Sequence, residues 1–170
     1  MAGASHKEHK EKAEKRIVCG VITVSDTRTK ETDGSGQLIL QMLSEAGHDP
    51  QTYHIAPDDP SRILPLLDSL LGTPEIGAII INGGTGVARR DVTFDVVERK
   101  LEKVLPGFGE LFRSLSFEEI GSAALLSRAV AGSVGDTVVF SVPGSKGAVR
   151  LAMERLILPE MPHIVFELRK

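Results

Sequence analysis

Residues 79–93 read IIINGGTGVARRDVT. The stretch opens as a run of isoleucines with no polar alternation, the pattern of a strand buried on both faces. Such a strand belongs to a sheet covered by helices on each side, so the run predicts an α/β chain with a mainly parallel sheet. It then passes into Asn82-Gly83-Gly84-Thr85-Gly86, and Arg89, Arg90 and Asp91 follow at once. Clustered glycines let backbone N–H groups converge on an anion without interference from Cβ atoms. The same residues also suit a tight strand-to-helix turn flanked by solvated arginines.

The rest of the chain repeats this alternation. Residues 17–25 (IVCGVITVS) and 137–142 (TVVFSV) read as buried strands, 51–56 as a second strand and 77–82 as the third. A turn at Asp33-Gly34-Ser35-Gly36 opens a helix with Leu38, Met42 and Ala46 on one face, and Gly47 stops it. Helices are predicted over 61–71, 92–103, 109–117 and 146–157, and a last strand over 164–168. Continuously apolar strands separated by helices imply a doubly wound, mainly parallel sheet with helices on both faces. In such sheets ligands bind beyond the carboxyl ends of the strands. The loops after Ser25, Asn82 and Val142 meet there, and the Pro57–Pro60 turn joins them if 51–56 is a strand.

With 170 residues the chain has the length of one domain. Residues 1–15 (MAGASHKEHKEKAEK) alternate acid and base without apolar periodicity and read as a flexible N-terminal tail, leaving 16–170 as a single domain. Net charge is -3 with no basic block, which argues against nucleic-acid binding. The single cysteine, Cys19, excludes an internal disulfide and reads as a small buried apolar group. No apolar signal segment follows Met1 and no run of about 18 apolar residues occurs, so no membrane attachment and a cytoplasmic location are expected.

The loops carry the candidate chemistry. Arg90 or Arg89 can grip a phosphate with a planar fork, and Thr85 adds a hydroxyl. Asp91 either caps the next helix or supplies a hard oxygen ligand for Mg²⁺, and Asp58 and Asp59, flanked by prolines, face the same choice between turn chemistry and metal binding. Ser25-Asp26-Thr27-Arg28, Ser127-Arg128 and Pro143-Gly144-Ser145-Lys146 offer further anion contacts. No Walker loop, GxGxxG fingerprint or GxSxG elbow is present, and the five histidines show no metal-ligand spacing. Leu111, Phe112, Leu115 and Phe117 crowd apolar surface onto one short helix, either as core or as a self-association face.

Four motifs in order carry a resemblance: NGGTG with RRDVT, LPGFGE from Leu105, ALLSR from Ala124, and VPGS from Val142. With them the chain resembles the MoaB/Mog-type family of molybdenum-cofactor biosynthesis proteins over nearly all of residues 17–168, and the ending from Gly144 looks closer to the MoaB branch. The resemblance implies a doubly wound α/β domain, a homotrimer or homohexamer, and binding of molybdopterin, a pterin with a dithiolene and a terminal phosphate. It also implies, for active members, Mg²⁺-dependent transfer of AMP from ATP to that phosphate. Carried onto this chain, Asp58 and Asp91 are the catalytic and Mg²⁺-binding carboxylates. Gly83, Gly84, Thr85, Gly86, Arg90, Thr93, Ser127, Pro143, Gly144 and Ser145 line the substrate pocket, with Ser25, Asp26 and Arg28 at its rim. The alternative is a non-catalytic molybdopterin carrier that uses the glycine loop without the carboxylates. Two positions depart from the family pattern: Phe94 stands where proline is common, and Lys146 where threonine or proline is expected.

Overall fold

The computed structural model describes residues 16–170, so the expected tail at 1–15 lies outside the described residues. The decisive isoleucine run forms β3, Ile76–Asn82, with every residue buried. Around it stand β1 (Val18–Val24), β2 (Asp49–Ala56), β4 (Lys103–Val104), β5 (Val130–Val134) and β6 (Thr137–Val142). They form one six-stranded sheet in the order β2-β1-β3-β6-β5-β4. The first four of these neighbours run parallel, whereas β5 and β4 add antiparallel strands at one edge.

The helices are α1 (Gly34–Glu45), α2 (Pro60–Leu71), α3 (Thr93–Lys100), α4 (Pro106–Ile120), α5 (Lys146–Ala152) and α6 (Leu158–Leu168). Each strand alternates its side chains between two apolar layers. Val21, Ile80 and Phe140 join Leu43, Phe112, Val149 and Val165 from α1, α4, α5 and α6. Ile22, Ile79, Ile81 and Val139 join Ile63 and Leu67 of α2 and Val97 of α3. Both faces are thus dry, which is why the strands read as unbroken apolar runs. Cys19 lies in the first layer as expected, and burial pushes its thiol pKa up to about 12.

Three expectations are corrected. Residues 164–168 are not a strand but the end of α6: Met161 and Val165, four apart, are the buried pair, a helical rather than an alternating pattern. This helix continues from α5 through one π-turn at Met153–Ile157. Pro159 lacks an N–H and would crowd the carbonyl of Arg155 in a regular α-turn, and the wider turn lies just before it. The helix predicted over 92–103 ends at Lys100, because Leu101 turns extended and the Glu102 N–H donates to Ser133 O, which brings β4 into the sheet. The helix predicted over 109–117 is longer, beginning with Pro106 in its first turn and ending at Ile120, with Gly121 as its C-cap. β5, not anticipated, pairs with β6 through a two-residue turn at Gly135-Asp136.

One buried polar cluster fixes the start of α1. Asp33 is wholly buried, accepts from the Gly36 N–H as helix cap at 3.0 Å, and receives the Tyr53 hydroxyl at 2.5 Å and Arg28 Nη1 at 3.1 Å. Burial alone would raise its pKa, but hydrogen bonds from Gly36, Thr23, Tyr53 and Ser35 outweigh that and hold it down to about 2. A carboxylate held below its unfolded value of about 3.9 stabilises the fold fully above that pH and loses its contribution as pH falls toward 2. Asp33→Ala is expected to cost about 3 kcal/mol in urea unfolding at neutral pH. The gap from wild type should close when the same titration is repeated near pH 2. A pH-independent gap would refute the linkage.

Candidate functional site

β1 is hydrogen-bonded on one side to β2 and on the other to β3. The crossover from β1 to β2 carries α1 on one face of the sheet, and that from β2 to β3 carries α2 on the other. The loops after β1 and β3 therefore leave in opposite directions, and a crevice opens between them. A cleft of about 560 Å³ occupies this place. Gly83, Gly84, Thr85 and Gly86 wall it from the β3 loop, Ser25 and Arg28 from the β1 loop, Pro143, Gly144 and Ser145 from the β6 loop, and Ser127 from the segment before β5. Thr27 and Leu126 also line it. Both sit inside motifs visible in the sequence, but neither carries a charge that would single it out.

The glycine loop is built by its backbone. Gly83 (φ +100°) and Gly84 (φ +62°) adopt left-handed dihedrals, and a Cβ would strike Val24 O at the first and the Thr93 hydroxyl and Asp58 carboxylate at the second. The Gly83 N–H donates to Val142 O at 3.0 Å, tying the loop to β6. The Gly84 carbonyl accepts from the Thr93 N–H at 3.0 Å. Among the described residues, the N–H groups of Gly84, Thr85 and Gly86 have no protein acceptor.

Beside this cleft lies a smaller cavity of about 210 Å³, lined by Ser25, Asp26, Gly84 and Arg90 together with Asp58 and Asp91. Asp58 Oδ1 accepts from the Val92 N–H at 3.2 Å and the Thr93 hydroxyl at 3.0 Å, while Asp26 accepts from the Asp58 N–H at 3.1 Å. Burial first, and the charge of Asp91 second among the raising effects, lift the Asp58 pKa above the usual carboxylate value against those hydrogen bonds. Asp91 does not cap α3: its carboxylate accepts from the Ala88 N–H at 2.9 Å within the loop, and α3 begins with no side-chain cap. Next to Asp58, Asp59 takes the turn-and-cap role, accepting from the Ser61 N–H at 2.7 Å at the start of α2.

Thr93 is fully buried behind Asp58 and lines neither cavity, so it holds Asp58 rather than facing the cleft. Arg28 does face the cleft, yet its Nη1 bonds Asp33 and Ser35 and reaches Gly144 O at 3.4 Å. Arg128, expected as an anion contact, is not among the cleft-lining residues and turns its guanidinium to the glycine loop's own carbonyls. Phe94, the departure from proline, lies with its ring centroid 4.6 Å from that guanidinium. Lys146 extends its stem across Gly34 at the start of α1. Among the described residues no cluster of three or more His, Cys, Asp or Glu side chains forms a ready-made metal cage, and no helix is long and apolar enough to cross a membrane.

Residues 20–163 match the family model described as "Probable molybdopterin binding domain". Molybdenum cofactor biosynthesis protein B of Bacillus cereus is 51% identical over 164 residues, covering 96% of this chain and 97% of that protein. The protein of the same name from Bacillus subtilis is 50% identical over 167 residues, 98% of each. A crystal structure of molybdenum cofactor biosynthesis protein B superposes with a TM-score of 0.90 at 51% identity, covering 92% of this chain and 98% of that one. The tungsten cofactor synthesizing protein MoaB of Pyrococcus furiosus superposes with a TM-score of 0.80 at 38% identity, covering 93% of this chain and 100% of the other.

Asp58 carries an electrostatic penalty in the unliganded fold. Its raised pKa means that protonation favours the folded state, so its penalty is absent below the unfolded pKa and grows as pH rises through the folded one. Asp58→Asn keeps the Oδ1 acceptor for Val92 and Thr93 while removing the charge. Its melting temperature at neutral pH should equal or exceed that of wild type, with the difference disappearing in acid. A variant clearly less stable at neutral pH would contradict this electrostatic account.

Proposed function

The chain belongs to the family of probable molybdopterin binding domains, and we propose that it serves molybdenum-cofactor biosynthesis as a molybdopterin adenylyltransferase. Molybdopterin and ATP meet at the crevice between the β1 and β3 loops. An oxygen of the pterin's terminal phosphate forms a bond to the α-phosphorus of ATP, the α–β phosphoanhydride bond breaks, and pyrophosphate leaves. A phosphate is already nucleophilic near neutral pH, which suits a cleft whose serines, Ser25, Ser127 and Ser145, have no histidine beside them among the lining residues. The observation that carries the reading is the placement of unbonded loop amides beside the Asp58–Asp91 pair at one sheet edge.

Each group has a task that its surroundings suit. The N–H groups of Thr85 and Gly86 hold phosphate oxygens. Arg90 stands at the small cavity and neutralises a second phosphate. Thr93 and the Val92 N–H aim Asp58, leaving its second oxygen free toward Gly84. Holding both substrates in one crevice removes much of the entropic barrier between two polyanions. The acidic pair fits Mg²⁺: two carboxylates repel each other when empty, and Mg²⁺ is commonly held by one or two carboxylates with phosphate oxygens and waters completing the shell. When bound, the ion supplies charge neutralisation at the α-phosphate.

The deciding experiment is pyrophosphate release on mixing protein, Mg·ATP and molybdopterin, with each component omitted in turn. Release requiring all three supports the transferase. Bound pterin without release would make the chain a carrier. Asp91→Asn should lower turnover about a hundredfold, a few kcal/mol of lost charge stabilisation, with pterin affinity retained. Equal loss of turnover and pterin binding would assign Asp91 to loop structure instead.

The active form proposed here is a homotrimer or homohexamer. Phe112 is buried in the core, but its neighbours Leu111 and Phe117, with Ile120, Leu125 and Leu126, leave large apolar side chains in solvent on α4 and the 3₁₀ turn that follows it (Gly121–Leu126). Large apolar side chains left in solvent in this number suit an association surface. Phe117→Glu is expected to shift the sedimenting species toward monomer. An unchanged mass would remove α4 from the interface.

A further inference from the structure

The orientation of the glycine loop is imposed from behind. Arg128 Nε donates to Thr85 O at 3.0 Å, and its Nη2 donates to Gly86 O at 2.6 Å. Nη2 also approaches Asp91 O at 3.5 Å, in the turn that carries the Asp91 carboxylate. On the far side of the guanidinium, Asp95 in the first turn of α3 accepts from Nη1 at 3.4 Å through both oxygens. The Phe94 ring covers its face at 4.6 Å. A planar guanidinium can serve two carbonyls and a carboxylate at once and still stack on a ring, which an ammonium group cannot do.

The peptide bonds here are trans. In a trans peptide the carbonyl of one residue and the N–H of the next point in opposite directions. Thr93 draws the Gly84 carbonyl toward α3, and Arg128 draws those of Thr85 and Gly86. The N–H groups of Thr85, Gly86 and Val87 are therefore turned the other way. We propose that Arg128 is a positioning residue: it contacts no ligand, and by holding these carbonyls it presents a row of backbone N–H groups to an anionic, phosphate-bearing ligand. Phe94 and Asp95 hold Arg128 in that posture. The ligand class rests on the function proposed above, whereas the control of the loop does not.

The test uses full-length protein, with NMR amide relaxation reporting loop order and calorimetry with tripolyphosphate reporting anion binding. In Arg128→Ala, order at Gly84–Val87 should fall from the rigid range toward that of a flexible segment while β3 is unchanged. Tripolyphosphate affinity should drop about tenfold, as for loss of a charged hydrogen-bonding group. Added guanidinium ion should restore both, and methylammonium neither. Phe94→Leu, which keeps an apolar side chain toward the α2–α3 layer, should move both readouts the same way by less, and it serves if the alanine variant does not fold. Loop order unchanged while binding is lost would make Arg128 a direct anion ligand and overturn the proposal. Equal rescue by methylammonium, or no change in either readout, would overturn it as well. Wild-type protein that fails to bind tripolyphosphate would sink the phosphate reading alone, and the relaxation comparison would still decide the role of Arg128.

Discussion

β1 hydrogen-bonds to β2 on one edge and to β3 on the other, and the site depends on that. Were β1 an edge strand, its loop would be followed by a neighbour on the same side and the two would close over the sheet edge. With β1 inside, the β1-to-β2 crossover carries α1 over one face and the β2-to-β3 crossover carries α2 over the other. The crevice is what neither crossover covers. β6 then extends the sheet beside β3, and its Pro143–Ser145 loop supplies the third wall. The antiparallel hairpin of β5 and β6 does a further job, since the segment entering β5 carries Ser127 into the cleft and Arg128 behind it.

The parts of this fold that were legible from the amino-acid pattern are those where one strong physical signal acts alone. Unbroken runs of buried, largely β-branched residues announce β1, β3 and β6, and left-handed glycines mark the loop after β3. The parts that were not legible are those where a tertiary partner decides. β4 and β5 are short, and β5 includes a glycine, so pairing rather than propensity makes them strands. The run Ile164-Val165-Phe166 has strand-like composition, but it continues a helix already docked through Met161 and Val165. Composition competes poorly with a helix that is already propagating.

The candidate site divides in the same way. Of the residues expected at the cleft edge, all but Thr93 line one of its two cavities, because a backbone conformation or a loop position leaves its mark locally. What an arginine points at leaves no such mark. Arg28 and Arg128 both looked like phosphate ligands, yet the first is bonded to Asp33 and Ser35 and the second to backbone carbonyls. The Arg28 partners are side chains whose orientation is fixed only by the start of α1, and those of Arg128 lie in distant main chain that any residue could supply.

This internal use of cations bears on how a polyanion can be held by a chain of net charge -3. With two arginines engaged by the protein itself, attraction falls to backbone dipoles and to Arg90. Dipoles are directional and short-ranged, so they select for a phosphate in the right place rather than for negative charge in general. Asp58 and Asp91 press the same distinction further. An unaccompanied polyphosphate approaching that corner meets two carboxylates already in conflict, whereas one arriving with its own divalent cation relieves the repulsion and adds a favourable contact. If the proposed reaction is correct, the acidic pair therefore acts as a filter as well as a catalytic element. At its own corner it favours the metal complex of the nucleotide over the bare nucleotide, while the glycine loop, aimed from behind by Arg128, receives a phosphate that needs no metal of its own.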